Sequence, residues 1–173
     1  MWIFRHAFAI AVLPITVTIL VPLWIGRRYG VNFRLPADAL DWLSITAGAF
    51  LLLAGLTLFV STLSLFATEG RGTLAPWDPP ARLVLHGPYR FVRNPMISGV
   101  LLLIIGESLV FRSSALAAWA IAFAVINLIY IPLVEEPQLG RRFGEEYRQY
   151  KRNVPRLLPR FHPWHGENTA RTP

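Results

Sequence analysis

Four long runs of apolar residues constrain the fold of this chain more than any other feature. A hydrocarbon core about 30 Å thick requires about 20 apolar residues in each helix that crosses it. Runs of this kind occupy residues 7–25, 42–66, 95–111 and 113–134. The third run is the shortest and is interrupted by Glu107. Because backbone polar groups must be satisfied inside lipid, the runs predict an all-α integral membrane protein with four transmembrane helices, with room for a fifth re-entrant or surface segment.

The composition agrees with a membrane protein of one domain, residues 1–173. Of the 173 residues, 54% are hydrophobic and 16% are charged, which is too apolar for an ordinary soluble domain. The net charge of +7 suits nucleic acid or a membrane, and the apolar runs favour the lipid bilayer as partner and no nucleic acid. With no cysteine, and four histidines that lack metal-ligand spacing with carboxylates, we expect no metal site.

The basic residues are unevenly distributed between the two ends of the predicted spans. One set of ends carries Arg5, the arginines of the loop at 67–94 and the basic C-terminal tail. The opposite ends carry Arg27, Arg28, Arg34 and Arg112. Because cytoplasmic segments are enriched in Lys and Arg, both termini and the 67–94 loop are predicted to be cytoplasmic. The predicted location is the inner membrane of the cell.

The tail contains a predicted amphipathic helix at about residues 138–153. One face of this helix carries the apolar or aromatic residues Leu139, Phe143, Tyr147, Tyr150 and Val154, and the other face is charged. Such a helix belongs at the cytoplasmic surface. Two placements remain open: it lies flat on the membrane, or it packs on the cytoplasmic loop of the same protein.

Charge and turn chemistry meet in the stretch HGPYRFVRNPM, residues 86–96, which precedes the third apolar run. Asn94 is a favoured helix N-cap, and Pro95 is favoured in the first turn. A helix that begins here has free N–H groups at the cytoplasmic mouth, and with Arg90 and Arg93 beside them they suit an anion. Positive-inside topology with a simple cap accounts for the same residues, so both interpretations stay open.

Two carboxylates, Glu135 and Glu136, follow the fourth apolar run. The turn at residues 112–114 is short enough to require an antiparallel helix pair. At a rise of about 1.5 Å per residue, this hairpin returns Glu135 to roughly the level of Asn94. The glutamates would then face cations across a small gap, which suits the zwitterion of an amino-acid moiety. The alternative is that the glutamates are ion-pair partners of Arg90 or Arg93.

The motifs GPYRFVRNP and EEPQLGRRFGEEYRQYKRNVPRLLP resemble those of integral-membrane methyltransferases, typified by isoprenylcysteine carboxyl methyltransferase and the phospholipid N-methyltransferases. The resemblance covers about residues 72–159. It implies S-adenosylmethionine on the cytoplasmic side of the hairpin and a lipid-like acceptor that enters from the bilayer. The cofactor contacts that it implies are Leu83, Val84, Tyr89, Asn94, Pro95, Met96, Ile97 and Glu135. To these, the charge pattern adds Arg90, Arg93 and Glu136.

The chain departs from the family pattern at three positions. Asn94 stands where the family usually has His, Ile97 where it has Tyr, and Ile131 where the prenylcysteine enzymes carry Arg. The missing arginine disfavours a prenylcysteine acceptor in particular. On the fourth run, Asn127 and Tyr130 are candidates to line the acceptor pocket, or they bond to a neighbouring helix.

The predicted function is S-adenosylmethionine-dependent methyl transfer to a hydrophobic or lipid-like acceptor at the cytoplasmic membrane face. Methyl transfer from a sulfonium depends mainly on proximity and alignment, so the sequence need not show an acid–base dyad, and no catalytic residue is assigned. Two alternatives stay open. One is a nicotinamide-dependent membrane reductase of the sterol-reductase type, and the other is a non-catalytic membrane module with the same fold. The sequence leaves open whether the acceptor group is a carboxylate, an amine or another nucleophile.

Overall fold

The computed structural model describes residues 11–65, 68 and 83–165, with only the backbone for residues 11–13. Within these residues the regular structure is entirely helical, which confirms the predicted all-α class. The start of the first predicted span and most of the 67–94 loop lie outside the described residues. The elements are a π-helical segment Ala11–Leu20, α1 Val21–Tyr29, α2 Ala39–Leu65, a 3-10 turn Gly87–Arg90, α3 Pro95–Val110, α4 Ser114–Tyr130, a π-helical segment Ile131–Glu135 and α5 Glu136–Asn153.

Helices α2 and α3 are in close contact because glycines replace side chains where the two backbones meet. A Cβ atom on Gly55 would lie 2.8 Å from the carbonyl oxygen of Gly99, and one on Gly48 would lie 2.8 Å from that of Gly106. In each helix the two glycines are seven residues apart, so they lie on one face. Helices in lipid associate through such small residues, which let the backbones approach.

Helices α3 and α4 form the predicted antiparallel hairpin. The Ser113 side chain accepts a hydrogen bond from the N–H of Leu116 (3.3 Å) and so caps the start of α4. Arg112 turns the chain with a φ of 47°. Its guanidinium pairs with Asp41 (3.3 Å) and donates to the carbonyl of Arg34 (2.7 Å), which ties the hairpin turn to the segment before α2.

Helices α4 and α5 are continuous, although the sequence analysis treated a span ending at residue 134 and a tail helix starting near 138 as separate elements. Pro132 lacks an N–H, and the chain accommodates it with a π-helical turn that keeps the helix intact. Pro137 stands in the first turn of α5, where proline is tolerated. Within α5 the backbone kinks at Gly144, whose φ of 57° favours glycine.

Two helices in the described part of the chain are long and apolar enough to cross a membrane. They are Ala39–Leu65 and Ser114–Asn153, which kinks at Gly144 and whose uncharged part ends before Glu135. The apolar helix Pro95–Val110 is shorter. Large apolar side chains on α2 and α4 are exposed, among them Phe50, Leu53, Ile121 and Ile129. Such a surface belongs in contact with lipid. The arrangement with four spans remains a prediction.

Candidate functional site

The site begins where α3 starts, at Pro95 as predicted, but Asn94 does not cap the helix with its side chain. No hydrogen bond joins that side chain to a backbone N–H of α3, which corrects the predicted N-cap. The Asn94 amide makes instead a long hydrogen bond of 3.5 Å to the carbonyl of Arg156. Its φ of −120° and ψ of 60° lie outside the extended region that an N-cap residue usually adopts.

The centre of the site is Glu136, whose side chain is 2% exposed and pairs with three cations. Arg93 and Arg156 both reach Oε1, at 2.9 and 2.8 Å, and Lys151 reaches Oε2 at 2.6 Å. Burial alone would raise the pKa of Glu136. The hydrogen bonds from Arg156 and Lys151, with the charges of Arg93 and Arg156, outweigh burial and hold the pKa below its ordinary value. Glu136 is therefore ionised at neutral pH, and its charge is used within the protein.

The neighbouring Glu135 has a different environment. Its carboxylate forms no ion pair or hydrogen bond with any residue in the described part of the chain. Burial and, to a smaller extent, the charge of Glu136 raise the pKa of Glu135 to about 7, against the opposing charge of Arg93. Burial and the charge of Glu135 also raise the pKa of Tyr89, in the turn before α3. A titratable group perturbed in this way, beside a cluster of cations, is typical of a functional site.

The two arginines before α3 have different partners. Arg93 is 8% exposed and pairs with Glu136, as one alternative of the sequence analysis required. The Arg93 Nε atom is buried and has no hydrogen-bond partner among the described residues. Arg90 pairs with neither glutamate; its Nε donates to the carbonyl of Trp164 at 2.9 Å.

The apolar face of α5 packs on the protein itself. Tyr147, Tyr150 and Val154 are buried, and the Tyr150 hydroxyl donates to the carbonyl of Tyr89 at 2.7 Å. Around them lie half-buried apolar residues from the loop, from α5 and from the C-terminal segment, namely Leu83, Leu85, Leu139, Phe143 and Trp164. Of the two placements left open by the sequence, the structure therefore favours packing on the protein's own loop.

The remaining predicted cofactor residues belong to the loop before α3 and to the first turn of α3. Val84 and Pro95 are buried, whereas Leu83, Met96 and Ile97 are partly exposed. The segment therefore has both buried and accessible side chains, and the cofactor role of these residues stays a prediction.

The two predicted acceptor residues lie on α4. Asn127 is buried and donates to the carbonyl of Phe123 in its own helix at 2.8 Å, and Tyr130 is 38% exposed. The acceptor role of both residues stays a prediction. No group of three or more metal-ligating side chains occurs in the described residues.

The sequence pattern did not indicate the cations from the C-terminal part of the chain that complete the charged cluster. Lys151 and Arg156 complete the ion pairs of Glu136, and Trp164 receives the side chain of Arg90. Arg156 and Trp164 stand in an irregular segment after α5, where no periodicity indicates a neighbour. The available signal was the density of basic residues in YKRNVPR, opposite two carboxylates in the same motif.

Comparison with known proteins identifies similar sequences. The phospholipid methyltransferase family model matches residues 43–146. Methanethiol S-methyltransferase of Pseudomonas deceptionensis is 30% identical over 160 residues, which cover 86% of this chain and 57% of that protein. Methanethiol S-methyltransferase 2 of Bradyrhizobium diazoefficiens is 36% identical over 75 residues, covering 42% of this chain and 27% of that protein. The chain thus spans little more than half the length of the first relative. No solved structure matches it significantly.

Proposed function

We propose, because the chain belongs to the phospholipid methyltransferase family, that it transfers a methyl group from S-adenosylmethionine to a hydrophobic or lipid-like acceptor at the cytoplasmic face of a membrane. The observation that carries this proposal is the family match over residues 43–146, which includes the α3 entrance and both glutamates. The match favours methyl transfer over the nicotinamide-dependent reductase and over a non-catalytic module. The exposed apolar surfaces of α2 and α4 support a membrane setting.

The residues around Glu135 fit the amino-acid part of S-adenosylmethionine. Glu135 has no cation of its own in the described residues, so its carboxylate can accept an ammonium group. The unpartnered Nε of Arg93 lies in the same cluster and is a donor suited to a carboxylate. Leu83, Val84, Tyr89, Met96 and Ile97 would contact the remainder of the cofactor.

The cofactor, when bound, supplies a methyl group on a positively charged sulfur. The task of the protein is then to orient two reactants and to exclude water, which can lower the activation barrier by about 7–11 kcal/mol. The charge of Glu136 is compensated by Arg93, Lys151 and Arg156 within the protein. Glu136 can therefore contribute to orientation only indirectly, through these residues. Asn94 cannot gain or lose a proton near neutral pH, so its amide can only position.

A small thiol is a second candidate acceptor. The identity of 30% over 86% of this chain to a protein named methanethiol S-methyltransferase favours it. A thiol reacts as the thiolate, and its ordinary pKa of about 8.5 or higher leaves little thiolate at neutral pH. Such an acceptor therefore needs a group that accepts its proton, whereas a carboxylate acceptor does not.

The proposal is tested with the full chain in lipid nanodiscs. Calorimetry with S-adenosylhomocysteine and, separately, NADPH distinguishes a methyltransferase from a reductase, and we expect binding of S-adenosylhomocysteine alone. Transfer of a radiolabelled methyl group is then measured with a membrane lipid extract and with methanethiol. Labelled lipid supports the lipid-like acceptor, and labelled volatile sulfide supports the thiol. The absence of S-adenosylhomocysteine binding would overturn the proposed function.

A further inference from the structure

The segment that follows α5, residues 154–164, lies against the turn that leads into α3; we call it the C-terminal strap. The hydroxyl of Ser98, in the first turn of α3, donates a hydrogen bond to the carbonyl of Leu157 in the strap at 3.2 Å. Four main-chain hydrogen bonds join the strap to residues 90–94: Arg93 N–H to Pro155 (2.8 Å), Asn94 N–H to Arg156 (3.1 Å), Arg160 N–H to Phe91 (3.0 Å) and Trp164 N–H to Arg90 (2.9 Å).

The far end of the strap is fixed by side chains. The Trp164 ring packs against Tyr150, with the ring centroids 5.6 Å apart. The Trp164 carbonyl accepts the hydrogen bond from the Arg90 guanidinium. The strap therefore contacts Arg93 and Asn94, at the entrance of α3 beside the residues proposed to bind the methyl donor, and it contacts them mainly through backbone atoms.

Arg156 connects the strap to the charged cluster. Its Nε atom lies 2.8 Å from Oε1 of Glu136, the same oxygen that Arg93 reaches. Its carbonyl oxygen accepts from both the N–H and the side-chain amide of Asn94. One residue of the strap thus contacts Glu136 through its side chain and Asn94 through its backbone. Glu136 has two other cationic partners, and the Arg156 side chain is 30% exposed, so we expect loss of this one ion pair to change global stability little.

We propose that Arg156 is a positioning residue, which acts through Glu136 and Asn94 to hold the entrance of α3 in the arrangement that binds the methyl donor. This inference rests on the proposed function, because it assigns the entrance to the donor. When Arg156 is lost, Glu136 keeps Arg93 and Lys151 as partners, so the cluster survives with its cations no longer held in one geometry.

The test compares Arg156→Ala with the wild-type chain in nanodiscs. We expect the affinity for S-adenosylhomocysteine to fall roughly tenfold, as when an outer partner of a ligand-binding group is removed. KM for S-adenosylmethionine should rise with kcat little changed, and the unfolding temperature should stay within a few degrees. Arg156→Lys keeps a cation near Glu136 and should recover part of the affinity.

The matched control is Arg152→Ala, in the last turn of α5. Arg152 is 73% exposed and pairs with Glu145 at 3.8 Å, away from Glu136, so we expect wild-type affinity. Equal affinity of Arg156→Ala and the wild type would overturn the inference, as would an equal loss in Arg152→Ala. A fall in unfolding temperature in step with the lost binding, without recovery by lysine, would show a purely structural role. A wild-type chain that binds no S-adenosylhomocysteine refutes the proposed function itself, and the inference with it.

Discussion

Two adjacent glutamates have opposite environments, although the sequence gives them the same chemistry. Glu136 is buried among three cations and has a depressed pKa, whereas Glu135 has no such partner in the described residues and a raised pKa. Helical geometry accounts for the difference, since neighbouring residues in a helix point about 100° apart. The ion pairs give Glu136 a structural role, and the difference supports the proposal that Glu135 binds the ligand.

Glu135→Gln should weaken the binding of S-adenosylhomocysteine with little effect on folding. The substitution keeps the size and removes the charge, so affinity should fall by on the order of 2–5 kcal/mol, as when one partner of a buried charge pair is lost. Because the pKa of Glu135 is raised, the folded protein binds this proton more tightly than the unfolded chain does. The resulting stabilisation is lost as pH rises through about 7. The variant should therefore be at least as stable as the wild type at pH 8. Calorimetry and thermal unfolding of the one variant measure both quantities.

The pH dependence of binding gives an independent check on the same residue. An ammonium group binds the ionised carboxylate, so the affinity of the wild type should rise between about pH 6 and 8, and that of Glu135→Gln should not. Parallel profiles for the two proteins would remove Glu135 from the site.

Glu136→Gln should destabilise the fold by about 3 kcal/mol, because it leaves the buried Arg93 guanidinium without its carboxylate. The depressed pKa of Glu136 gives a pH signature: its stabilisation is complete above the ordinary glutamate pKa and is lost as pH falls through the lower folded value. Denaturant unfolding at pH 7 and in the acid range measures both effects. If Glu136→Gln were as stable as Glu135→Gln at pH 7, the cluster would have no structural role.

At the scale of helices, the contact of α2 with α3 depends on glycine. Gly55→Ala places a methyl group 2.8 Å from a backbone oxygen that cannot move alone. The free energy of unfolding of the variant should therefore fall by about 1–3 kcal/mol. Gly26→Ala in α1 is the matched control, since its new Cβ atom would lie 3.8 Å from the carbonyl oxygen of Val31, an ordinary contact, and alanine favours helix. Thermal unfolding in one detergent compares the pair. Equal stability of the two variants would mean that α2 and α3 can move apart without loss of stability.

The elements that the sequence predicted best are those with uncharged runs and clear ends. The start of α3 at Pro95 follows from local chemistry, because proline is favoured in the first turn of a helix. The continuity of α4 with α5 was not predicted because Pro132 and Pro137 are ordinary signals for a break, and a π-helical turn removes that conflict. Hairpin length placed the two glutamates near Arg90 and Arg93, with ion pairing as one of two alternatives, and the pair that forms is Arg93 with Glu136. The contact with Arg156 was not predicted, since the strap is held by backbone hydrogen bonds that no side-chain pattern encodes.

At the scale of the whole molecule, the charged cluster and the basic tail lie at one end of the hairpin. Arg93, Glu136 and Arg156 are in contact there, and the turn at Arg112 lies at the other end. Four spans with a cytoplasmic cluster require the segment between α1 and α2 to lie on the opposite side, and that segment carries Arg34. In that topology, the cluster faces the side on which we propose that the methyl donor binds.

Reporter fusions test this arrangement directly. A fusion after Pro173 and one inserted near Trp77 should both report the cytoplasm, because both positions belong to the arginine-rich side. A fusion between Gly30 and Ala39 should report the opposite compartment. The insertion at this third position serves as the internal control, since it differs from the others only in sidedness. If all three fusions reported the same compartment, α2 would not cross the membrane, and the four-span topology would be refuted.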